Sequence, residues 1–311
     1  MDAESVSPID LSALTGLPPE QLRQLLPGFL SAFIADPDAS RANRRRVEAV
    51  VGAWSDTTCR EVLELLGGIG NENRLYLAHP ACRELSRVWS MDVVLEPVVR
   101  GAEHLAEALA AGPTLIACNH LSYFDTTATD AALAYTGHGA LADRLVAAAG
   151  PKVYQDPFRR VAASGLNTLP VPQSTSFAHT EKLSPRELAR QAHSSLEATQ
   201  DLAARGYCLL LYPEGSRSRT GHLGPFLRGT HRYLGCVEQL RVVPTAIVGT
   251  DRIMPVSDPR LHPGAVGLTF GPAVVVTDAT HAREVLPVVR DAIVAMLPDV
   301  HHPLAGPAVT A

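Results

Sequence analysis

The chain has 311 residues, of which 46% are hydrophobic and 19% are charged, and its formal net charge is −5. This composition is typical of a globular protein and argues against both a disordered chain and a membrane protein. The negative charge also argues against nucleic acid as a partner, because binding to phosphate backbones needs a net basic surface.

The five cysteines are odd in number and scattered, with no CxxC pair and no metal-ligand spacing. We therefore expect reduced, buried thiols and a cytoplasmic protein. The N-terminus, MDAESVSPID, is acidic where a secretory signal would be basic and then apolar. Because no apolar run approaches the roughly 18 residues that span a membrane, the sequence predicts a soluble chain. A weak peripheral membrane contact through LPGFLSAFI is the alternative to packing that segment in the core.

Helical patterns occur in patches over residues 10–88. In chain order these patches are LPPEQLRQLLPGFLSAFI, SRANRRRVEAVVGAW, TTCREVLELLGGIG with its Gly-Gly stop, and NENRLYLAHPACRELSRVW. They predict a small helical N-terminal domain over residues 1–90.

From about residue 91 short apolar runs alternate with helical stretches. The runs are VVLEPVV, PTLIACN, DRLVAAAG, YCLLLYP, RVVPTAIVG and GLTFGPAVVV. Runs rich in Val, Leu and Ile that are separated by helices indicate an α/β fold with a mixed, largely parallel sheet flanked by helices. We expect this second domain to cover residues 91–311.

The clearest single helix is predicted over SPRELARQAHSSLEATQDLAARG, residues 184–206. Ser184 can cap the helix, Pro185 suits its first position and Glu187 completes a capping box. Gly206 supplies the stop. The tail HHPLAGPAVTA, residues 301–311, has no apolar pattern to pack, and we expect it to fray.

A histidine and an aspartate follow the apolar run TLIACN, at His120 and Asp125. If the run is a strand, His120 lies just past its carboxyl end, where open α/β sheets gather ligand-binding groups. The turn before the next helix must bring the two side chains together, because a continuous helix would point them apart. Asp125 can then accept a hydrogen bond from one imidazole nitrogen, which leaves the other nitrogen free to take a proton from a bound hydroxyl. Ser122 lies in this turn as an alternative nucleophile, but direct attack by an external acceptor is simpler.

A second apolar run, LLLY, ends in PEGSRSRTG, residues 213–221. Arg217 and Arg219 offer planar guanidinium groups suited to phosphate or carboxylate, and Gly215 lets the backbone come close to a ligand. Taken alone, EGSRSRTG also fits a polar surface turn. Because two strand ends face one crevice, we expect the two polar blocks to meet.

Together the two blocks resemble the NHxxxxD and PEG(S/T)R motifs of the glycerolipid acyltransferases, of the glycerol-3-phosphate and lysophosphatidate type. They stand here as Asn119-His120 to Asp125 and as Pro213 to Arg217. The resemblance covers roughly residues 91–275. Residues 150–174 are similar to the soluble plastid-type glycerol-3-phosphate acyltransferases, which also carry a helical N-terminal domain.

The resemblance implies transfer of a fatty acyl group from acyl-CoA or acyl carrier protein to a hydroxyl of glycerol-3-phosphate or lysophosphatidate, in phospholipid biosynthesis. It implies His120 as the general base and Asp125 as the group that orients it. No cofactor beyond the thioester co-substrate and no metal is expected. The implied acceptor-binding residues are Glu214, Gly215, Ser216, Arg217 and Arg219, with Lys152 as a further basic group.

The segment VPQS departs from the family pattern. Where family members carry a basic residue or two, this chain has Gln173 and Ser174, and a neutral amide is not equivalent to a charge-assisted bond to phosphate. The basic residues that could compensate are Lys152, Arg159, Arg160 and Lys182. The alternative is the same transfer to a non-phosphorylated alcohol or amine in a specialised pathway. A third possibility is a non-catalytic protein that binds acyl thioesters or acyl carrier protein.

The run RANRRR, residues 41–46, fits a solvated helix face. Its alternative is a docking patch for the acidic acyl carrier protein or for the phosphates of CoA.

Overall fold

The computed structural model describes residues 16–70, 74–172 and 184–304. Its helices are α1 Pro19–Ser31, α2 Pro37–Gly52, α3 Asp56–Gly68, α4 Pro80–Ser90, α5 Ala102–Ala111, α6 Asp125–Tyr135, α7 Gly139–Ala142, α8 Pro151–Gln155, α9 Pro157–Ser164, α10 Pro185–Ala204, α11 His231–Leu234, α12 Thr250–Ile253 and α13 His281–Met296. Its strands are β1 Val94–Arg100, β2 Thr114–Cys118, β3 Leu145–Ala149, β4 Asn167–Pro170, β5 Cys208–Leu211, β6 Leu240–Val248, β7 Gly264–Phe270 and β8 Val274–Val276. Short 3₁₀ helices lie at Arg228–Thr230 and Asp299–His301.

The chain divides into two compact units. The first contains Met1–Val93 and Ala148–Ser195, and the second contains Val94–Ala147 and Leu196–Ala311. The first boundary lies close to the predicted one at residue 90. The segment 148–195, which we expected in the α/β domain, groups instead with the N-terminal helices.

In the first unit an aromatic cluster explains this grouping. Helix α9 contacts α3, α4 and α8, while α1 packs against α2 and α3. The ring of Phe158 in α9 lies 4.0 Å from that of Phe33 and 5.6 Å from that of Trp89, centroid to centroid. Phe158 and Trp89 are both buried. Residues distant in sequence therefore share one core in this unit.

The stretch before α4 is not helical, which corrects the fourth predicted helical patch. Tyr76 forms an antiparallel bridge with Thr168 of β4, and each backbone N–H donates to the other residue's carbonyl at 2.9 Å. The helix begins only at Pro80, after His79. A proline at the first helical position is favourable, while the residue before it is pushed to extended geometry.

The second unit is built on a mixed sheet with the strand order β1-β7-β6-β2-β5-β3, and β8 also pairs with β6. The pairs β1–β7, β2–β5, β2–β6 and β3–β5 are parallel, whereas β6 pairs antiparallel with β7 and β8. Helices α5, α6 and α13 contact these strands. The predicted α/β class, with a mixed and largely parallel sheet flanked by helices, is confirmed.

Strands β2 and β5 lie side by side within the sheet, and every residue of both strands is buried. Their uninterrupted apolar runs are those expected of strands covered on both faces. The run GLTFGPAVVV forms two strands, β7 and β8, instead of one. It is interrupted where the Gly271 N–H donates to the carbonyl of Pro244 at 2.8 Å. Both polar blocks of the sequence follow directly from these two neighbouring strands, β2 and β5.

Helix α10 covers the predicted segment. The backbone N–H of Ser184 donates to Glu187 Oε2 at 2.9 Å, and the backbone N–H of Glu187 donates to Ser184 Oγ at 3.3 Å, which is the predicted capping box. Gly206 ends this segment in the left-handed region, with φ of 77°.

The cysteines are all free, and Cys59, Cys82, Cys118 and Cys208 are buried while Cys236 is half-buried. Burial raises the pKa of each of these thiols above its ordinary value. Within the three described ranges, no helix combines the length and the apolar character needed to cross a bilayer.

Candidate active site

Asn119 continues the pairing of β2 beyond the end of the strand. Its side-chain Nδ2 donates to the carbonyl of Ile247 at 2.9 Å, and its Oδ1 accepts from the Ile247 N–H at 2.8 Å. Ile247 belongs to β6, the parallel neighbour of β2. A buried side-chain amide thus replaces the next rung of the ladder, and the backbone is free to turn at His120.

His120 and Asp125 are in contact, as the sequence predicted. The His120 Nδ1 lies 2.8 Å from Asp125 Oδ2. The same oxygen accepts the backbone N–H groups of Leu121 at 2.8 Å and of Ser122 at 3.0 Å. The carboxylate is therefore held by the turn between β2 and α6, and Asp125 is the first residue of that helix. A carboxylate at a helix N-terminus is favoured by the helix dipole.

The two side chains differ in their access to solvent. The Asp125 side chain is 1% exposed and that of His120 is 15% exposed. Because the carboxylate can only accept, the imidazole donates from Nδ1, and Nε2 is left as the nitrogen able to accept a proton. The arrangement is an imidazole with a free Nε2, held in orientation by a buried carboxylate.

Glu214 joins the second polar block to the first. Its Oε1 accepts the backbone N–H of His120 at 2.8 Å, and its Oε2 accepts the backbone N–H of Gly224 at 2.7 Å. Burial raises the pKa of this carboxyl, although the two N–H groups oppose that effect. Both oxygens are thus engaged within the protein, where Glu214 holds the backbone N–H of His120. The role in holding the acceptor that the resemblance implies for Glu214 stays a prediction.

A second bond between the blocks fixes the other side of His120. The Ser218 N–H donates to the carbonyl of His120 at 2.7 Å. Ser218 Oγ in turn donates to the His222 carbonyl at 2.7 Å. Both backbone groups of His120 are therefore held by the PEGSRSRTG loop, so the predicted meeting of the two blocks is observed.

Aromatic rings line the imidazole. The ring of Tyr212 stacks on that of His120, with centroids 4.2 Å apart and an interplanar angle of 19°. The ring of Tyr123 stands edge-on to His120 at 6.4 Å. The Arg217 guanidinium lies over the Tyr123 ring, 4.1 Å from its centroid. This cation–π contact brings Arg217 to the side of the His120–Asp125 pair.

The remaining predicted acceptor-binding residues of this loop are exposed. Gly215 has a φ of 69°, in the region that favours glycine, and a Cβ placed there would lie 2.1 Å from the side chain of Leu227. Ser216 and Arg219 are exposed, so neither is committed to the core.

Lys152 belongs to the first unit, where it is half-buried in α8. Its predicted part in acceptor binding stays a prediction. Gln173, Ser174 and Lys182 lie outside the described residues.

Ser122 has a structural role. The residue is fully buried, its Oγ donates to the carbonyl of Met254 at 3.2 Å, and the same oxygen accepts the Phe124 N–H at 3.2 Å. A hydroxyl that is buried and bonded to two backbone groups is not placed to attack a substrate. Direct attack by an external acceptor stays a prediction.

The C-terminal histidines pack against the PEGSRSRTG loop, so the prediction that this part of the tail frays is wrong. His301 is buried, and its Nδ1 lies 2.7 Å from the carbonyl of Gly221. The Leu223 N–H donates to the His301 carbonyl at 2.9 Å, and His222 Nδ1 lies 2.8 Å from the His302 carbonyl. Polar imidazole-to-backbone bonds hold this segment, and the apolar pattern alone did not indicate them.

Sequence reasoning missed Tyr212 and Tyr123. Both are aromatic residues in or directly before a motif, at the end of a strand or in the following turn. An aromatic side chain at such a position is a signal for ring packing on the neighbouring imidazole, but it becomes specific only when the two blocks are known to meet. Among the described residues, no group of three or more His, Cys, Asp or Glu side chains could hold a metal ion.

Comparison with known proteins supports the two motifs. Residues 96–248 match the family model Acyltransferase. The chain is 27% identical over 136 residues to a 1-acyl-sn-glycerol-3-phosphate acyltransferase of Limnanthes douglasii, a match that covers 43% of this chain and 48% of the relative. It is 37% identical over 60 residues to the chloroplastic 1-acyl-sn-glycerol-3-phosphate acyltransferase BAT2 of Brassica napus, covering 19% of this chain and 17% of the relative. The matches thus span half or less of these relatives.

Among solved structures, the chain is similar to the 1-acyl-sn-glycerophosphate (LPA) acyltransferase PlsC of Thermotoga maritima. The TM-score is 0.45 and the sequence identity is 15%, with 91% of each chain covered. The family match includes both the His120–Asp125 block and the block that begins at Pro213. These matches support the glycerolipid acyltransferase superfamily for residues 96–248 of the chain.

Proposed function

We propose that this protein transfers a fatty acyl group from an acyl thioester, acyl-CoA or acyl carrier protein, to a hydroxyl of glycerol-3-phosphate or lysophosphatidate. The observation that carries the proposal is the His120–Asp125 pair, whose Nδ1···Oδ2 distance is 2.8 Å and whose imidazole is partly open to solvent. The names of the two curated relatives, both 1-acyl-sn-glycerol-3-phosphate acyltransferases, support a phosphorylated glycerol acceptor.

In the proposed mechanism Nε2 of His120 takes the proton of the acceptor hydroxyl as its oxygen attacks the thioester carbonyl carbon. The tetrahedral intermediate then collapses, the carbon–sulfur bond breaks, and the thiolate leaves with the proton returned by the imidazolium. Asp125 stabilises the imidazolium through the Nδ1–H bond. A positioned base of this kind contributes about 10² to 10⁴ in rate.

Arg217 and Arg219 are the proposed contacts for the acceptor phosphate. A guanidinium binds phosphate through two parallel N–H bonds, which fixes orientation as well as charge. Arg217 is half-buried over Tyr123, beside His120, while Arg219 is exposed. Arg217 is therefore the residue we expect to orient the acceptor, and Arg219 the residue we expect to attract it.

Gln173 and Ser174 favour a second class of acceptor. These neutral residues stand where the resemblance implies basic ones, which favours a non-phosphorylated alcohol or an amine. The proposed chemistry at His120 is unchanged under this alternative, and only the group that the arginines contact differs.

For the donor, the arginine run of α2 is largely neutralised by neighbouring acids. Arg41 pairs with Asp38, Arg44 with Glu48 at 2.8 Å, and Arg46 with Asp92 at 3.3 Å. Docking of acyl carrier protein or CoA at this helix stays a prediction, and these ion pairs lower the net positive charge available for it.

Release of free thiol tests the proposal. The pure protein is incubated with acyl-CoA or acyl carrier protein, with and without glycerol-3-phosphate, lysophosphatidate, or a panel of neutral alcohols and amines. We expect thiol release that depends on a phosphorylated acceptor. Release only with a neutral acceptor supports the second acceptor class, and no turnover with any acceptor removes the proposed function.

The variant His120→Ala tests the base itself. We expect transfer to fall by at least about 10²-fold, because the proton acceptor is gone, while circular dichroism stays that of the wild type. His281→Ala, which removes another half-buried imidazole of the same unit, serves as the matched control. Equal turnover by His120→Ala and His281→Ala would remove His120 from the mechanism.

A further inference from the structure

Tyr212 occupies a position that the two motifs do not explain. It follows β5 directly, and its ring lies almost parallel to the His120 imidazole, 4.2 Å away. The Tyr212 carbonyl accepts the N–H of Gly215 at 2.9 Å, which fixes the backbone at the start of the PEGSRSRTG loop.

The far end of the same side chain is also held. The Tyr212 hydroxyl lies 3.0 Å from Thr126 Oγ, and Thr126 is the residue after Asp125 in the first turn of α6. Burial, together with the nearby Asp125 carboxylate, raises the pKa of Tyr212 well above its ordinary value, so the hydroxyl stays neutral and able to hydrogen-bond. The ring is therefore tethered at one end by β5 and at the other by α6.

This tether supplies a constraint that Asp125 cannot supply. The Nδ1···Oδ2 bond holds one edge of the imidazole but permits the ring to tilt about that bond. A flat ring stacked at 4.2 Å blocks tilting toward Tyr212 and contributes an attractive stacking interaction. A hydrogen bond at the edge and a surface against the face together define the direction of Nε2.

We propose that Tyr212, tethered to Thr126, is a positioning residue that holds the His120 imidazole in the plane needed for proton transfer. This inference rests on the proposed function of His120. The proposal assigns the larger effect to the aromatic ring and the smaller one to the hydroxyl, so substitutions can separate the two features.

The kinetic test compares Tyr212→Leu, which removes the ring, with Tyr212→Phe, which keeps it. We expect Tyr212→Leu to lower kcat about tenfold, because one stacking interaction no longer stabilises the transition state. The KM values for donor and acceptor should stay within about twofold of the wild type, since the substrates do not depend on this ring for binding. Tyr212→Phe should recover most of the missing kcat.

Tyr207→Leu, directly before the same strand, is the matched control, and we expect it to have the kcat of the wild type. Unchanged kcat in Tyr212→Leu overturns the proposal, as does a decrease that Tyr212→Phe does not recover.

A spectroscopic test does not depend on turnover. In protein labelled with ¹⁵N-histidine, the Nδ1–H of His120 is identified by its absence in His120→Ala. We expect faster exchange of this proton with water in Tyr212→Leu than in the wild type, because an imidazole that is free to tilt bends the Nδ1–H···Oδ2 bond and opens it more often, and near-normal exchange in Tyr212→Phe. Wild-type exchange in Tyr212→Leu overturns the positioning role, even if no acyl transfer is ever detected. If Tyr212→Leu does not fold, Tyr212→Met takes its place in both tests with the same expected outcomes.

The hydrogen bond between Tyr212 and Thr126 is tested by the variant Thr126→Val, which removes one hydroxyl and nearly conserves the side-chain volume. Because Thr126→Val and Tyr212→Phe break the same hydrogen bond, we expect similar small decreases in kcat and a double variant no worse than either single one. Additive decreases in the double variant overturn the tether.

Discussion

At the scale of single residues, Asp125 accepts its hydrogen bonds from the turn through one carboxylate oxygen. Its Oδ2 accepts from the imidazole and from two backbone N–H groups. An amide at this position keeps the shape of the turn but loses the charge that, in the proposed mechanism, stabilises the imidazolium. We therefore expect Asp125→Asn to lower kcat by about 10²-fold or more, with little change in KM. Steady-state kinetics measures this, and Asp201→Asn on the exposed face of α10 is the control. A larger effect on KM than on kcat would contradict the assigned role.

The burial of the Glu214 carboxyl group leads us to expect that the stability of the protein depends on pH. Burial raises its pKa above the ordinary value of 4.5, so the folded chain binds a proton more tightly there than the unfolded chain does. The free energy of unfolding that this group contributes therefore falls as pH rises through the interval above 4.5. Glu214→Gln does not titrate. We expect the stability of the wild type relative to Glu214→Gln, measured by urea denaturation, to decline from pH 4.5 toward neutrality. A relative stability that increases over this range would show that the two backbone N–H bonds outweigh burial.

At the scale of elements, Asn119 shows how a strand end can be extended by a side chain. Removal of its amide leaves the N–H and the carbonyl of Ile247 without these partners, and Ile247 is fully buried. We expect Asn119→Ala to lower the free energy of unfolding by about 2–4 kcal/mol, the cost of two unsatisfied buried groups. Chemical denaturation checks this, with the exposed Ser216→Ala as a control that should change stability by less than about 0.5 kcal/mol. Equal stabilities of the two variants would mean that Ile247 finds other partners.

The contacts of the 3₁₀ helix Asp299–His301 lead to a second prediction at this scale, which concerns the PEGSRSRTG loop. It contacts Gly221 and Leu223 through His301, and the PEGSRSRTG loop ends at Gly221. We expect His301→Ala to loosen this loop, so that trypsin cleaves after the exposed Arg219 several times faster than in the wild type, as read by mass spectrometry. His104→Ala on α5 should leave the cleavage rate unchanged. Equal cleavage of His301→Ala and wild type would show that the loop does not depend on this contact.

At the scale of the whole molecule, each compact unit has its own core and only the second holds the His120 site. Both tryptophans of the chain, Trp54 and Trp89, lie in the first unit, so tryptophan fluorescence reports on that unit selectively. Phe158→Ala removes the ring that packs on Phe33 and Trp89. We expect the free energy of unfolding of this unit, measured by tryptophan fluorescence, to fall by about 3–5 kcal/mol. A fluorescence transition at the wild-type midpoint would contradict the assignment of α9 to this core.

Local patterns predicted much of the fold because the determining interactions are short-range. The apolar runs of β2 and β5 are strands, and the capping box at Ser184 and Glu187 begins α10 as expected. Periodicity misread residues 74–79, since the bridge between Tyr76 and Thr168 joins segments far apart in the chain. For the same reason no local signal placed the segment 148–195 beside the N-terminal helices.

The sequence by itself determined the α/β class and the pairing of His120 with Asp125, and it carries both family motifs, because strand patterning and a five-residue spacing are local properties of the chain. Tertiary structure alone decided that Glu214 and Ser218 hold the backbone of His120 and that Tyr212 lies against its ring. These interactions join loops that follow separate strands, and their geometry depends on how β2 and β5 lie next to each other in the sheet. The proposed chemistry follows from residue types, whereas the positions of the residues that would carry it depend on long-range hydrogen bonds and packing.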